Sequence, residues 1–96
     1  MALKPIVLAP PYEQRFVKAD PTLRVGDFAK IGFDAPEGMS EWLCVLITRI
    51  RGTWPNVRYC GELNNRPVLI HPRRLRVGSP VTFVPANILD ILRGDE

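Results

Sequence analysis

Arginine is the residue type whose number and placement point most directly to chemistry in this chain. Seven arginines stand between residues 49 and 76 against a single acid, Glu62, whereas the flanking stretches are close to neutral or acidic. The planar fork of an arginine side chain matches the oxygens of carboxylates and phosphates. The candidate contact residues are these seven and one tryptophan among them: Arg49, Arg51, Trp54, Arg58, Arg66, Arg73, Arg74 and Arg76. If neighbouring strands and loops present them together, they form one continuous positive face.

Three interpretations of this basic region are open. Trp54 and Tyr59 lie inside it and could stack on the bases of a single-stranded nucleic acid. An acidic protein partner would satisfy the same arginines. Exposed arginines also keep a β-rich surface soluble, and a formal net charge of +3 is modest for a nucleic-acid binder. We favour an acidic protein partner for a binding function, with nucleic acid as the alternative. Trp54, at a turn before Pro55, is either folded back on the core or a binding anchor.

Residues suited to catalysis or metal binding are scarce. The single histidine, His71, stands before Pro72 in a basic loop, with no accompanying nucleophile in the sequence pattern. One histidine and two cysteines do not match the ligand spacing of a zinc site. The glycines never cluster as a phosphate-binding loop requires. We therefore expect a protein that is not an enzyme, with no metal and no cofactor.

The cysteines and the apolar runs predict a compartment. Cys44 and Cys60 are expected to stay reduced, because the N-terminal stretch is interrupted by prolines and does not read as a signal peptide. The longest apolar run, Trp42 to Ile47, is far shorter than the ~20 residues of a membrane-spanning helix. The expected location is the cytoplasm, without a membrane partner.

The elements that must position the arginines are short strands. Ten prolines spread through the chain disfavour long helices. Alternating side chains predict strands at residues 29–33, 41–51, 57–63, 67–70 and 81–84, bounded by Gly, Pro or Asn. Residues 85–92 are predicted to form one or two helical turns. The fold class is therefore mostly β: a small antiparallel barrel, SH3-like, of about five strands with a short C-terminal helical turn.

One domain fits a chain of 96 residues. We divide it into a proline-punctuated N-terminal arm, residues 1–24, and a small β-barrel domain, residues 25–93. Within the arm, residues 6–8 could add an edge strand and residues 13–19 a helical turn. The core is predicted to gather the apolar positions of the strands and the closing turn: Ile31, Phe33, Trp42, Leu46, Leu63, Val81, Phe83 and Ile88.

A spaced set of short motifs runs through residues 25–91. They are Val25-Gly26-Asp27 with Lys30 and Phe33, Glu41-Trp42, Gly61-Glu62-Leu63-Asn64 with Pro67, Gly78, Val81-Thr82-Phe83 and Ile88-Leu89-Asp90. In order and spacing this set resembles an uncharacterised bacterial family, domain of unknown function 2314, the YegJ-like proteins. The basic stretch from His71 to Arg76 lengthens one connection beyond the family pattern. The resemblance implies a small β-rich fold that ends in a short turn or helix, and it implies no reaction.

Overall fold

Antiparallel strands of one sheet make up most of the fold. The structure is a computed structural model that describes residues 7–9 and 21–94. In those ranges the sheet has six strands: β1 (Leu8–Ala9), β2 (Phe28–Asp34), β3 (Ser40–Arg51), β4 (Arg58–Leu63), β5 (Pro80–Phe83) and β6 (Ile88–Leu92). Short 3₁₀ helices occur at Pro36–Gly38 and Pro85–Asn87. The prediction of a mostly β domain is confirmed.

Strand β2 organises the sheet because it pairs with three other strands of the described residues. One edge pairs along its whole length with β3, which continues through β4 to β5. The other edge pairs with β6 and, further along, with β1. The sheet curls until Leu8 of β1 and Val81 of β5 line one hollow of about 310 Å³. In the described residues β1 and β5 are not paired, so the sheet stays open there and closure into a barrel is not confirmed.

The core lies on one side of the curled sheet, and β3 contributes a different face from the one predicted. Leu43, Val45 and Ile47 are buried, whereas the predicted core residues Trp42 and Leu46 are half-buried on the opposite face. Both faces of this segment are apolar, so alternation alone does not select one. The other predicted positions are confirmed as buried: Ile31, Phe33, Leu63, Val81, Phe83 and Ile88.

A β-bulge in β3 turns its basic end outward. The register with β4 shifts between Ile47 and Arg49, which leaves Thr48 as the extra residue. Beyond the bulge Ile50 lies opposite the buried Tyr59 and packs against the core. The arginines that flank Ile50 therefore point away from the core.

Two elements predicted from the sequence are wrong. Residues 67–70 do not form a strand: residues 68–70 are bends, and their N–H groups donate to the carboxylate of Glu41 instead of to a neighbouring strand. In residues 85–92 only Pro85–Asn87 is helical, and Ile88–Leu92 is strand β6. Leu89 is the extra residue of a β-bulge in the pairing of β6 with β2. Because of this bulge, Ile88 and Ile91, which are three residues apart, both pack against the core.

The predicted arm is described only in part. Leu8 and Ala9 form the edge strand β1 beside β2, while residue 6 of the predicted strand lies outside the described residues. The helical turn predicted at residues 13–19 also lies outside them. Leu23 is buried with the core residues of the sheet. The chain thus contacts the sheet at two places before residue 25.

Asp27 joins the turn before β2 to the end of β6. Its carboxylate accepts hydrogen bonds from the backbone N–H groups of Arg24 (3.1 Å) and Gly94 (3.0 Å) and pairs with the Arg93 guanidinium at 3.1 Å. Burial by itself raises the pKa of Asp27, but these N–H groups and the guanidinium outweigh it. They hold the pKa below its ordinary value of 3.8. Asp27 is therefore charged in the folded protein at neutral pH.

Candidate functional site

The structure separates the seven predicted arginines into two groups. Three of them, Arg49, Arg51 and Arg58, lie on β3 and β4 beside the turn of the β3–β4 hairpin. The other four, Arg66, Arg73, Arg74 and Arg76, lie in the loop of residues 64–79 between β4 and β5. The length of β4, roughly 17 Å at 3.3 Å per residue, separates the two groups. The predicted residues therefore fall into two groups about one strand length apart, and that they form one continuous face stays a prediction. We describe each group as a surface of its own.

The first surface surrounds a hollow in the β4–β5 loop, and we call it the loop surface. It comprises Arg66, Val68, Leu69, His71, Arg76 and Val77, which line a hollow of about 550 Å³ together with neighbouring loop residues. Val68 is 86% exposed, and Leu69 and Val77 are also exposed. The loop contains four arginines and no acid. Its surface thus combines aliphatic side chains with a cationic rim.

Glu41 holds one side of this loop in place. Its carboxylate accepts hydrogen bonds from three successive backbone N–H groups, those of Val68 (2.6 Å), Leu69 (2.9 Å) and Ile70 (3.2 Å). Hydrogen bonds to a charged acceptor are about twice as strong as neutral ones. Ile70 is itself buried and anchors the segment to the core. The backbone under the exposed Val68 and Leu69 is therefore preorganised.

The role of Glu41 was missed in the sequence, although the sequence carries a signal for it. Glu41 has the same alternation as Leu43, Val45 and Ile47, so it lies on the core-facing side of β3. A carboxylate in phase with a buried apolar face needs hydrogen-bond donors. The sequence shows that Glu41 shares a face with Leu43, but only the structure shows that this face is the buried one.

Local hydrogen bonds shape the rest of the loop. The carbonyl of His71 accepts from the N–H groups of Arg74 (2.8 Å) and Leu75 (3.1 Å), and its Nδ1 accepts from the N–H of Arg73 (3.1 Å). Ser79 Oγ accepts from the N–H of Arg76 at 2.9 Å. His71 thus stabilises a turn. Arg73 and Arg76 remain exposed, whereas Arg74 is half-buried and lines the hollow between β1 and β5.

Replacing Glu41 by glutamine is expected to lower the free energy of unfolding by about 1–2 kcal/mol. The glutamine side chain keeps one acceptor oxygen, but its NH₂ group faces a backbone N–H of residues 68–70. Two donors then meet, and a hydrogen bond is lost. Hydrogen exchange at these three amides should accelerate more than exchange in β3. The matched control is Glu62→Gln, an exposed residue on the outer face of β4 whose carboxylate has no hydrogen bond among the described residues. Equal effects of the two substitutions would contradict this role of Glu41.

The second surface lies at the β3–β4 hairpin, and we call it the hairpin surface: Arg49, Arg51, Trp54 and Arg58. Arg51 lies directly opposite Arg58, and Arg49 lies opposite Cys60, all on the face away from the core. Trp54, in the turn, is 41% exposed. At this exposure the ring is partly covered, and its role as a binding anchor stays a prediction.

The cysteines are free thiols in separate positions. Asn64 donates its N–H to the carbonyl of Cys44, whereas Cys60 lies four residues earlier on β4. At 3.3 Å per residue this separates the two thiols by about 13 Å along the strand, too far for a disulfide. Over the described ranges, no three His, Cys, Asp or Glu side chains come together as a metal site would need. No helix in those ranges has the length and apolarity to span a membrane.

Comparisons with known proteins add no relative. Neither a protein-family model, a curated protein nor a solved structure matches this chain. Membership of the YegJ-like family stays a prediction from the motifs.

Proposed function

We propose that this protein is a non-enzymatic interaction module that binds an acidic, partly apolar segment of a partner protein at the loop surface. The observation that carries the proposal is the hollow of about 550 Å³, lined by aliphatic side chains and by Arg66 and Arg76. Carboxylates of a partner would pair with the arginines, and apolar side chains would cover Val68 and Leu69. Residues 64–79 contain four arginines and no acid, so the surface keeps an excess of positive charge even with the Glu41 carboxylate bound to the backbone of residues 68–70.

The chemistry of the lining favours protein over nucleic acid at this surface. Nucleobases stack best on the large rings of Phe, Tyr and Trp, and residues 64–79 contain none of these. The one aromatic ring of the loop, His71, is held in a turn by the hydrogen bond that its Nδ1 accepts from the N–H of Arg73. Aliphatic side chains such as Val68, Leu69 and Val77 instead complement the aliphatic and aromatic side chains of a peptide. The Glu41 hydrogen bonds also reduce the entropy that the loop would lose on binding.

The test uses a short fluorescein-labelled peptide of alternating Glu and Leu, with a Lys and Leu peptide as its counterpart. Fluorescence anisotropy at physiological salt should detect binding of the acidic peptide alone. The double variant Arg66→Glu/Arg76→Glu should weaken it by about tenfold or more, since loss of charge pairing and new repulsion combine. Amide shifts in NMR spectra should concentrate in residues 66–77.

The control is Arg49→Glu/Arg51→Glu on the hairpin surface, which changes the net charge by the same amount. It should leave affinity for the acidic peptide within about twofold. Equal weakening by both double variants would mean that only net charge matters and would overturn the site. Failure of the acidic peptide to bind the parent protein would overturn the function itself.

We further propose an SH3-like barrel arrangement, membership of the YegJ-like family and a cytoplasmic location. The return of β6 to β2 and the shared hollow between β1 and β5 support the barrel arrangement. The motifs in residues 25–91 support the family. Two separated thiols support a reducing compartment.

A further inference from the structure

We propose that the hairpin surface is a second, independent site, and that it binds single-stranded nucleic acid. It lies at the other end of β4 from the loop surface and shares no residue with it. Its side chains also differ in kind, with three arginines and an exposed tryptophan in place of aliphatic groups. The proposal does not depend on the function assigned to the loop surface.

The arginines of the hairpin surface are arranged unfavourably for one another. Arg51 and Arg58 are cross-strand partners, which brings their Cβ atoms to about 4.5–5.5 Å, and like charges so placed repel. Arg49 is the diagonal neighbour of Arg58, at about 7–8 Å. No ion pair between a carboxylate and any of these three is found within residues 7–9 and 21–94, and residues 42–61 contain no acid. A bound polyanion would remove this repulsion.

An exposed aromatic residue lies in the turn between Arg51 and Arg58. Val57 and Tyr59, next along the hairpin, are buried, whereas Trp54 is 41% exposed. In such a surface the indole ring of Trp54 offers a face on which an unpaired base can stack. The arginines of the same hairpin can contact the phosphates on either side of that base. Bases in a duplex are already stacked, which is why the geometry favours a single strand.

Space for a nucleotide adjoins the hairpin. Residues 55–58 and residues 84–86, at the 3₁₀ helix before β6, line a hollow of about 450 Å³. Arg58 belongs both to this hollow and to the arginine pair. A strand that runs across Arg51 and Arg58 could therefore stack one base on Trp54 and place the next nucleotide over the hollow.

The test is binding of a fluorescein-labelled thymidine oligonucleotide, followed by anisotropy at several salt concentrations. Three arginine contacts predict a log–log salt slope of about −2, from about −0.7 per phosphate. The variant Arg51→Ser/Arg58→Ser should lower affinity by about tenfold or more and reduce the slope to about −0.7. Its melting temperature should equal or exceed the parent's, because the facing like charges are removed. Trp54→Ala should lower affinity about tenfold without changing the slope.

The control Arg66→Glu/Arg76→Glu changes charge on the loop surface and should leave the slope unchanged. A duplex of the same length should bind more weakly than the single strand. Equal binding of duplex and single strand, or full affinity in Arg51→Ser/Arg58→Ser, would overturn the proposal. Binding of the acidic peptide that depends on Arg51 and Trp54 would assign the surface to a protein partner instead.

Discussion

Replacing Gly61 by alanine is expected to lower the free energy of unfolding by about 2–3 kcal/mol, a large share of the stability of a domain this small. Gly61 is buried and lies opposite Ile47, the last residue before the β3 bulge. A Cβ atom there would overlap the carbonyl oxygen of Leu46 and stand 2.7 Å from Val45 Cγ1. The central strands of the sheet would have to separate or the bulge would have to shift.

Chemical denaturation would measure this loss, with Gly38→Ala as the control. Gly38 has a positive φ of 73° but nothing within 4 Å of an added Cβ, so its cost is backbone strain alone, about 1 kcal/mol. The difference between the two variants isolates steric exclusion at the bulge. If Gly61→Ala is no less stable than Gly38→Ala, β3 and β4 move apart at this point at little cost, and the predicted steric exclusion is wrong.

Replacing Asp27 by asparagine should lower the free energy of unfolding by about 3 kcal/mol, because it breaks a largely buried ion pair and leaves Arg93 without its carboxylate. Arg93 also donates to the Thr22 carbonyl (3.2 Å) and hydroxyl (2.9 Å), so the turn before β2 loosens with it. At about 4–8 °C per kcal/mol, the melting temperature should fall by about 15 °C. The control Asp34→Asn alters an exposed carboxylate at the end of β2 and should cost little.

The same pair predicts how stability changes with pH. The pKa of Asp27 is lower in the folded protein than its ordinary value of 3.8, so folding favours the charged carboxylate. Its contribution is complete above that value and is lost as pH falls through the lower folded pKa. Thermal melts between pH 6 and pH 2 should therefore show a steeper acid decline for the parent than for Asp27→Asn. Parallel declines would contradict a stabilising charge at this position.

The close contact of the chain segments around Asp27 explains why glycine follows Arg93. A Cβ at Gly94 would overlap the carbonyl oxygen of Gly26. The turn before β2 and the end of β6 are thus packed backbone to backbone. A larger residue at 94 would separate them and stretch the hydrogen bond from its N–H to Asp27.

Part of the candidate site was predictable from the sequence. The arginine excess and Trp54 are properties of composition and position, and the turn at Trp54 follows from the residues around it. The division into two surfaces was not predictable, because Arg58 and Arg66 are close in sequence but stand at opposite ends of β4. A strand moves its residues apart at about 3.3 Å each, so proximity in sequence does not imply one surface.

Local features were predictable from the residues alone: the ranges of β2, β3, β4 and β5 to within one or two residues, and the turns between most of them. These follow from side-chain alternation and from the backbone limits of Gly and Pro. Three features depend on contacts between distant segments: which face of β3 is buried, where the bulge turns the arginines of β3 away from the core, and the pairing of residues 88–92 with β2. Each of these depends on a partner distant in the chain, Gly61 for the bulge and Lys30 for β6, and a pattern read along one segment contains no information about its partner.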